Sequence, residues 1–246
     1  MLGDRMPQEE LFGKLADYYD YIYHWKDYKK EVRQIKKLIR EYKQSSGNSL
    51  LDVACGTGKH ISYLRKDFRC EGIDISGDMI AVAKKNLPGV ELRIGNMVDF
   101  DLEKRFDVIL CLFSSIGYLL TEGEIDKAIS NFANHMKSGA VLIVEPWFRK
   151  SEWNDKTVHM QTYDSDSLKI ARINFAQMEG DFSLVDEEYL IGERGKGVIH
   201  VRDHHRMRFF EPETFLRAMN KAGLKAKFLK EGLMPTRGLL IGTKPK

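Results

Sequence analysis

Residues 50 to 60 read Leu50-Leu51-Asp52-Val53-Ala54-Cys55-Gly56-Thr57-Gly58-Lys59-His60, an apolar run with strand character that enters a turn carrying two glycines. Sixteen residues beyond Gly58, Asp74 ends a second run of the same kind. Where a strand turns sharply beside a ligand, glycine removes the Cβ atoms that would block the approach. An acidic side chain at the end of the neighbouring strand can then accept hydrogen bonds from ribose hydroxyls. The pair predicts an α/β sheet holding an adenosine-containing cofactor. The alternative is an ordinary tight strand-to-helix turn.

The identity of the cofactor turns on Ile61. A dinucleotide site uses G-x-G-x-x-G, whose third glycine lets the helix approach the sheet while the helix N-terminus receives a pyrophosphate. Here the third glycine position is Ile61. The turn reads D-x-A-C-G-x-G and resembles the S-adenosylmethionine (SAM) loop of the class I methyltransferases. SAM carries an α-amino group and a sulfonium but no phosphate, so an acidic residue beside the turn suits it. On this reading the donor site contains Asp52, Ala54, Cys55, Gly56 and Gly58, with Asp74 and Ile75 after the second strand.

Composition narrows the setting. A formal net charge of +3 over 246 residues, spread along the chain, gives no warrant for nucleic-acid binding. Cys55, Cys70 and Cys111 show no C-x-x-C spacing and read as reduced thiols of a cytoplasmic protein, with no metal site. No apolar run reaches about 18 residues, and Asp4, Glu9 and Glu10 do not fit a signal peptide, so no membrane association is expected.

Along the chain, helices are expected at 8–23 and 26–43, the second carrying Val32, Ile35, Leu38, Ile39 and Tyr42 at helical spacing. Strands at 49–54, 69–74, 90–95, 106–113 and 139–145 alternate with helices at 58–67 and 77–86 and a third starting at the Thr121/Glu124 capping box. This alternation predicts a Rossmann-like, mostly parallel, doubly wound sheet of seven strands with helices on both faces. Residues 157–210 instead show four strand-like stretches broken at Asp164-Ser165-Asp166, Glu179-Gly180-Asp181 and Gly192 to Gly197, an inserted antiparallel meander. A helix over 212–222 and strands at 224–230 and 237–243 complete the core, Pro212 suiting its first turn and Gly223 its end. The expected division is 1–146 for the N-terminal helices and SAM-binding core, 147–210 for the insertion, and 211–246 for the rest of the core.

Other segments add to the likeness. Gly95-Asn96-Met97 stands where methyltransferases usually carry Gly-Asp-Met against the adenine, and the Asn96 amide can also bond an adenine edge. Met79 would wall the same ring, or simply fill core. The runs F-S-S-I-G-Y (113–118), Glu145-Pro146-Trp147, G-K-G-V-x-H-x-x-D-x-H (195–205) and Arg237-Gly238-Leu239 together resemble the nucleotide-linked amino-sugar N,N-dimethyltransferases, which act on dTDP-3-amino sugars on the way to desosamine or mycaminose. The likeness runs from about Ala16 to Gly242. It implies that Tyr28, Ala54, Asp74, Asn96, Met97 and Phe113 line the SAM pocket, that Tyr23, Glu145, Pro146, Trp147, Arg172 and Arg237 hold the sugar nucleotide, and that the protein forms a homodimer. The two arginines suit a diphosphate, which a guanidinium binds as a fork. The chain departs from the family pattern at Phe148-Arg149-Lys150, which leaves the nucleotide open.

The implied chemistry is attack of a neutral amine on the sulfonium methyl. Positioning can supply most of the rate, about 7–11 kcal/mol for well-oriented partners. Tyr23 and Tyr118 are the first candidates to take or relay the amine's proton, with His205 as a further acceptor. Two other functions stay open at this point: methylation of another small amine, hydroxyl or carboxyl, and a SAM-binding regulator without catalysis.

Overall fold

The computed structural model describes residues 10–246. At its centre β1 (Ser49–Val53), buried over its last four residues, pairs in parallel with β2 (Arg69–Asp74) on one side and β4 (Phe106–Cys111) on the other. Strands β3 (Glu91–Ile94), β5 (Met136–Val144), β10 (Lys225–Leu229) and β11 (Leu239–Thr243) complete the order β10-β11-β5-β4-β1-β2-β3, in which β11 runs antiparallel to both neighbours. The order reverses between β1 and β4, and ligands of such sheets bind beyond the carboxyl ends of the strands at that point.

Helices cover both faces because the central strands are apolar on both. On one side α5 (Glu122–Asn134) and α6 (Pro212–Lys221) bury Phe132, Phe215 and Met219 against Ile109 and Leu142. On the other, α2 (Tyr28–Tyr42) and α3 (Lys59–Leu64) bury Ile35, Ile39 and Leu64 against Leu50, Leu110 and Ile143. The caps follow local chemistry: Asp27 accepts the Lys30 amide at α2, and Ser76 accepts the Met79 amide at α4 (Gly77–Asn86). Thr121 and Glu124 form the reciprocal capping box at α5 that their spacing predicts.

The four stretches after Pro146 form an antiparallel sheet, β6 (Thr157–Asp164), β7 (Leu168–Glu179), β8 (Phe182–Glu193) and β9 (Gly197–Arg208), inserted between β5 and α6. Its inner face packs on the N-terminal segment, where Leu168, Ile170, Tyr189 and Ile191 meet Leu11, Leu15, Tyr19 and Ile22.

Two expectations need correction. The helix expected at 8–23, whose first two residues lie outside the described ones, is a 3-10 turn at Glu10–Phe12, a second at Ala16–Tyr18 and one helical turn, α1 (Tyr19–Ile22). The helical spacing of Leu11, Leu15, Tyr19 and Ile22 is real. The segment is drawn between two sheets, however, and the amides of Glu10 and Leu11 bond the Asp203 carboxylate. The strand expected at 106–113 stops at Cys111, because Phe113 and Ser114 adopt left-handed φ values of 53° and 63° and turn the chain into the cavity.

Candidate active site

A cavity of about 610 Å³ lies between the carboxyl ends of β1 and β4 and the inner face of the inserted sheet. Asp52, Ala54, Cys55, Gly56 and Thr57 form one wall, and Tyr28, Phe113 and Tyr23 continue it. The turn is left-handed at Ala54 (φ 57°), Gly56 (φ 55°) and Gly58 (φ 79°). At Gly58 a Cβ would also stand 2.3 Å from Leu87 Cδ1, so α4 could not pack as it does. Asp52 is 2% exposed, and its Oδ2 has no hydrogen-bond partner. Burial pushes its carboxyl up to about 7, with His60 opposing and Asp74 adding to the rise.

Asp74 does a second job that its position in sequence does not reveal. Oδ2 accepts the Gly56 amide at 2.8 Å and Oδ1 the Ser76 amide at 2.9 Å, so the carboxylate clamps the donor turn to the end of β2. Burial raises its pKa and these amides partly offset the rise. Ile75 beside it is 68% exposed, an apolar side chain open to solvent.

Of the expected donor-side residues, Gly58, Asp74, Ile75, Met79, Asn96 and Met97 stand outside the cavity lining. Met79 is fully buried on the inner side of α4 among Leu11, Leu15 and Tyr19, and is core rather than a wall. Asn96 turns its Oδ1 back to the Val98 amide at 3.2 Å, and Met97 packs against the α5 core; neither lines the cavity.

On the acceptor side, Glu145 is fully buried, with Oε2 accepting the Phe113 amide at 2.7 Å and Oε1 the Met234 amide at 3.1 Å. Both oxygens are committed, so Glu145 ties two loops together instead of facing a ligand. Pro146 contributes its carbonyl to the Ser114 hydroxyl at 2.6 Å, and is likewise a brace. Arg237 donates to that same Ser114 Oγ at 3.0 Å and lies 4.8 Å from the ring centres of both Trp147 and Phe148. Its guanidinium is buried, its Nε has no partner, and burial lowers its pKa. Trp147 is anchored through Nε1 to Ser183 Oγ at 2.8 Å.

The inner face of the inserted sheet supplies a polar floor. Arg172 donates to the Tyr23 hydroxyl at 3.3 Å and to Gln161, and stands 3.6 Å from Glu187. Glu187 also accepts from the Tyr189 hydroxyl. His205 Nδ1 is 2.9 Å from the Tyr118 hydroxyl, while Nε2 lies 3.3 Å from Asp203 and 3.5 Å from Glu187 without an aligned hydrogen bond to either. Burial alone would lower the pKa of His205, but the two carboxylates outweigh it and hold the ring up to about 10. At neutral pH it is an imidazolium, so the expected role of His205 as a proton acceptor is replaced by that of a donor to Tyr118. Burial raises the pKa of Tyr23, and Arg172 restrains the rise.

Sequence reasoning brought Tyr23, Tyr28, Phe113, Tyr118, Trp147, Arg172, His205 and Arg237 to this one cavity. It gave no role to Glu187, Tyr189 or Asp203. The signal for Glu187 was its place in the inward-facing alternation Ser183, Val185, Glu187, Tyr189, where a carboxylate among buried residues requires partners.

The residues fit SAM: a buried carboxylate oxygen without a partner for its ammonium, a glycine turn, and an exposed apolar side chain for a flat ring. The sheet order, the donor turn and this cavity define a class I SAM-dependent methyltransferase. A methyltransferase-domain family model matches residues 50–139. The chain is 35% identical over 240 residues, 96% of its length and 93% of the relative's, to the dTDP-3-amino-3,6-dideoxy-alpha-D-glucopyranose N,N-dimethyltransferase of Streptomyces fradiae. The crystal structure of Streptomyces venezuelae DesVI matches with a TM-score of 0.88 at 36% identity, covering 94% of this chain and 98% of that one. SAM-bound CalS10, an amino pentose methyltransferase from Micromonospora echinaspora, matches with a TM-score of 0.82 at 28% identity over 94% of this chain and 96% of that one. The chain belongs to the dTDP-amino-sugar N,N-dimethyltransferase family, and its cofactor is SAM.

Among the described residues no helix is long and apolar enough to cross a membrane.

Proposed function

We propose that this enzyme transfers methyl groups from SAM to the amine of a dTDP-linked amino sugar, in two successive transfers to one nitrogen. The observation that carries the reading is Arg237. A buried guanidinium whose near carboxylate, Glu145, is spent on two backbone amides requires an anion, and a sugar nucleotide brings a diphosphate. Trp147 and Phe148 flank it with flat apolar surface of the kind a base or sugar face can cover.

SAM supplies an electrophilic methyl on a sulfonium. Asp52 would hold its ammonium, Gly56 and Gly58 would leave room for it, and Ile75 would offer its adenine apolar surface. The chain orients the amine: the nitrogen lone pair forms the N–C bond as the methyl–sulfur bond breaks and S-adenosylhomocysteine leaves, and each methylated nitrogen must shed a proton before it can attack again. Tyr118, its oxygen accepting from the His205 Nδ1–H, faces the cavity and can also accept a hydrogen bond from an N–H of the neutral amine, which turns the nitrogen lone pair toward the sulfonium; the proton of the methylated ammonium passes to solvent water. Tyr23, its oxygen accepting from Arg172, stands on the same cavity wall and can help hold the acceptor in place. The inserted sheet at 147–210 acts as the acceptor-side lid over the 1–146 and 211–246 core.

Thermal shift with dTDP tests the acceptor class. Protection by dTDP that disappears in Arg237→Ala is the expected result; absence of any dTDP effect on the wild type, with SAM protection intact, would turn the reading to another small acceptor. As for assembly and location, we propose a homodimer and a cytoplasmic setting, the second supported by the three free thiols, Cys55, Cys70 and Cys111. Sedimentation at micromolar concentration tests the first, and a monomer would refute it.

A further inference from the structure

Asp203 is shared by groups from three directions. From β9 its Oδ1 accepts the amide of Glu10 at 3.0 Å and that of His204 at 2.8 Å, while Oδ2 accepts the amide of Leu11 at 2.7 Å and faces His205 Nε2 at 3.3 Å. Glu187, its cross-strand neighbour on β8, flanks the same imidazole but is occupied by the Tyr189 hydroxyl and the Arg172 guanidinium. The two carboxylates therefore differ in one respect: the partners of Asp203 include backbone amides from a segment almost two hundred residues earlier.

That segment also reaches the rest of the machinery. Phe12 sets its ring edge against Tyr118, centroids 5.7 Å apart and planes at 82°, and against His205 at 5.9 Å and 62°. Its carbonyl accepts the hydroxyl of Ser76, the cap of α4, and Asp20 accepts from Thr57 Oγ1 at 2.7 Å and Lys59 Nζ at 2.9 Å on the donor turn. One short segment thus touches the donor turn at one end and roofs the Tyr118–His205 pair at the other.

We propose that Asp203 is a positioning residue for methyl transfer: by holding the Glu10 and Leu11 amides and His205 on one carboxylate, it makes docking of the N-terminal segment and orientation of the Tyr118 hydroxyl a single event. The inference rests on the reading of Tyr118 as the group that faces the acceptor amine. With the segment undocked, the carboxylate loses two charge-assisted bonds to water and the imidazole loses both its roof and its fixed partner. Tyr118 is then no longer held.

A double-mutant cycle of Asp203→Asn and His205→Gln tests this, with SAM and a dTDP-amino sugar as substrates and hydrogen exchange read over residues 10–23. Each single change is expected to lower kcat about tenfold or more while the KM for SAM stays within about threefold, and the double variant is expected to be no worse than His205→Gln. Exchange over 10–23 is expected to rise in Asp203→Asn. Multiplicative losses in the double variant, or faster exchange with unchanged kcat, would overturn the proposal. Tyr118→Phe separates the two readings: if it leaves kcat unchanged, the role of Tyr118 fails, whatever the exchange data show. Should Asp203→Asn not fold, Asp203→Glu keeps the charge on a longer arm and is expected to retain slow exchange over 10–23 with a lower kcat; unchanged kcat there refutes the positioning role.

Discussion

Replacing Asp52 with asparagine should stabilise the ligand-free protein while weakening its hold on SAM. Folding takes this carboxyl from water, where its ordinary pKa is 3.8, to a buried place where it holds its proton up to about 7. Each tenfold change in proton affinity is worth about 1.4 kcal/mol, so above that pH the ionised carboxylate costs the folded state about 4 kcal/mol. Asparagine removes the charge but leaves its amide short of partners, which costs about 1–3 kcal/mol. The net gain is about 1–3 kcal/mol, or about 2–12 °C in Tm for a chain of this size. The sign with pH follows. A folded-state pKa above the unfolded one gives stability that is complete below 3.8 and lost as pH rises to about 7. The advantage of the variant should therefore be small near pH 4 and full above 7. Differential scanning fluorimetry at both ends of that range, with and without SAM, reads both effects. At a hundredfold excess over Kd the wild type should gain about 2.7 kcal/mol from SAM, and the variant far less. A ligand-free variant that melts below the wild type near pH 8, or one with an undiminished SAM shift, would refute the reasoning.

Asp74→Ala frees the Gly56 and Ser76 amides, and removes the acceptor proposed for the ribose, so calorimetry should show SAM affinity reduced about tenfold or more in a folded protein. Unchanged affinity would deny Asp74 both roles. In Gly117→Ala the new Cβ would lie 2.8 Å from Trp147 Cβ, so overpacking should cost about 1–3 kcal/mol and raise the acceptor KM as Trp147 shifts away from Arg237; a normal melting curve with normal KM would contradict this. His205, held up to about 10, contributes stability that is complete below its ordinary 6.5 and lost as pH rises through 10. Urea unfolding should show a decline over that interval in the wild type that is flatter in His205→Gln, and equal slopes would argue against the imidazolium.

The core strands were legible because each is a short apolar run bounded by turn residues, and the donor turn because its geometry demands glycine and an acid at fixed places. The N-terminal segment was not, since the spacing of Leu11, Leu15, Tyr19 and Ile22 is as helical as that of α2, and only a partner nearly two hundred residues away draws its first amides to Asp203. Glu145 illustrates a different limit. Its motif placed it correctly at the end of β5, but which way its carboxylate points depends on loops from Phe113 and Met234 that no local pattern brings together. Asn96 turns its Oδ1 to its own loop and Met79 packs into the core, orientations that their places along the chain do not specify. For Glu187 and Asp203 the missing quantity was strand register, which sets them opposite each other beside His205.

The inserted sheet leaves the core after β5 and rejoins it before α6, and its two ends meet: Trp153 and Phe209 pack edge to face with ring centres 5.3 Å apart and planes at 62°. A segment pinched together at its base can be lengthened, shortened or exchanged with little disturbance to the strands that flank it. The polar floor of the cavity is thus a cassette in an otherwise continuous scaffold, and a graft between family members cut at these aromatic residues should change acceptor KM through Arg172 and Glu187 while Arg237, Trp147 and the donor turn stay as they are.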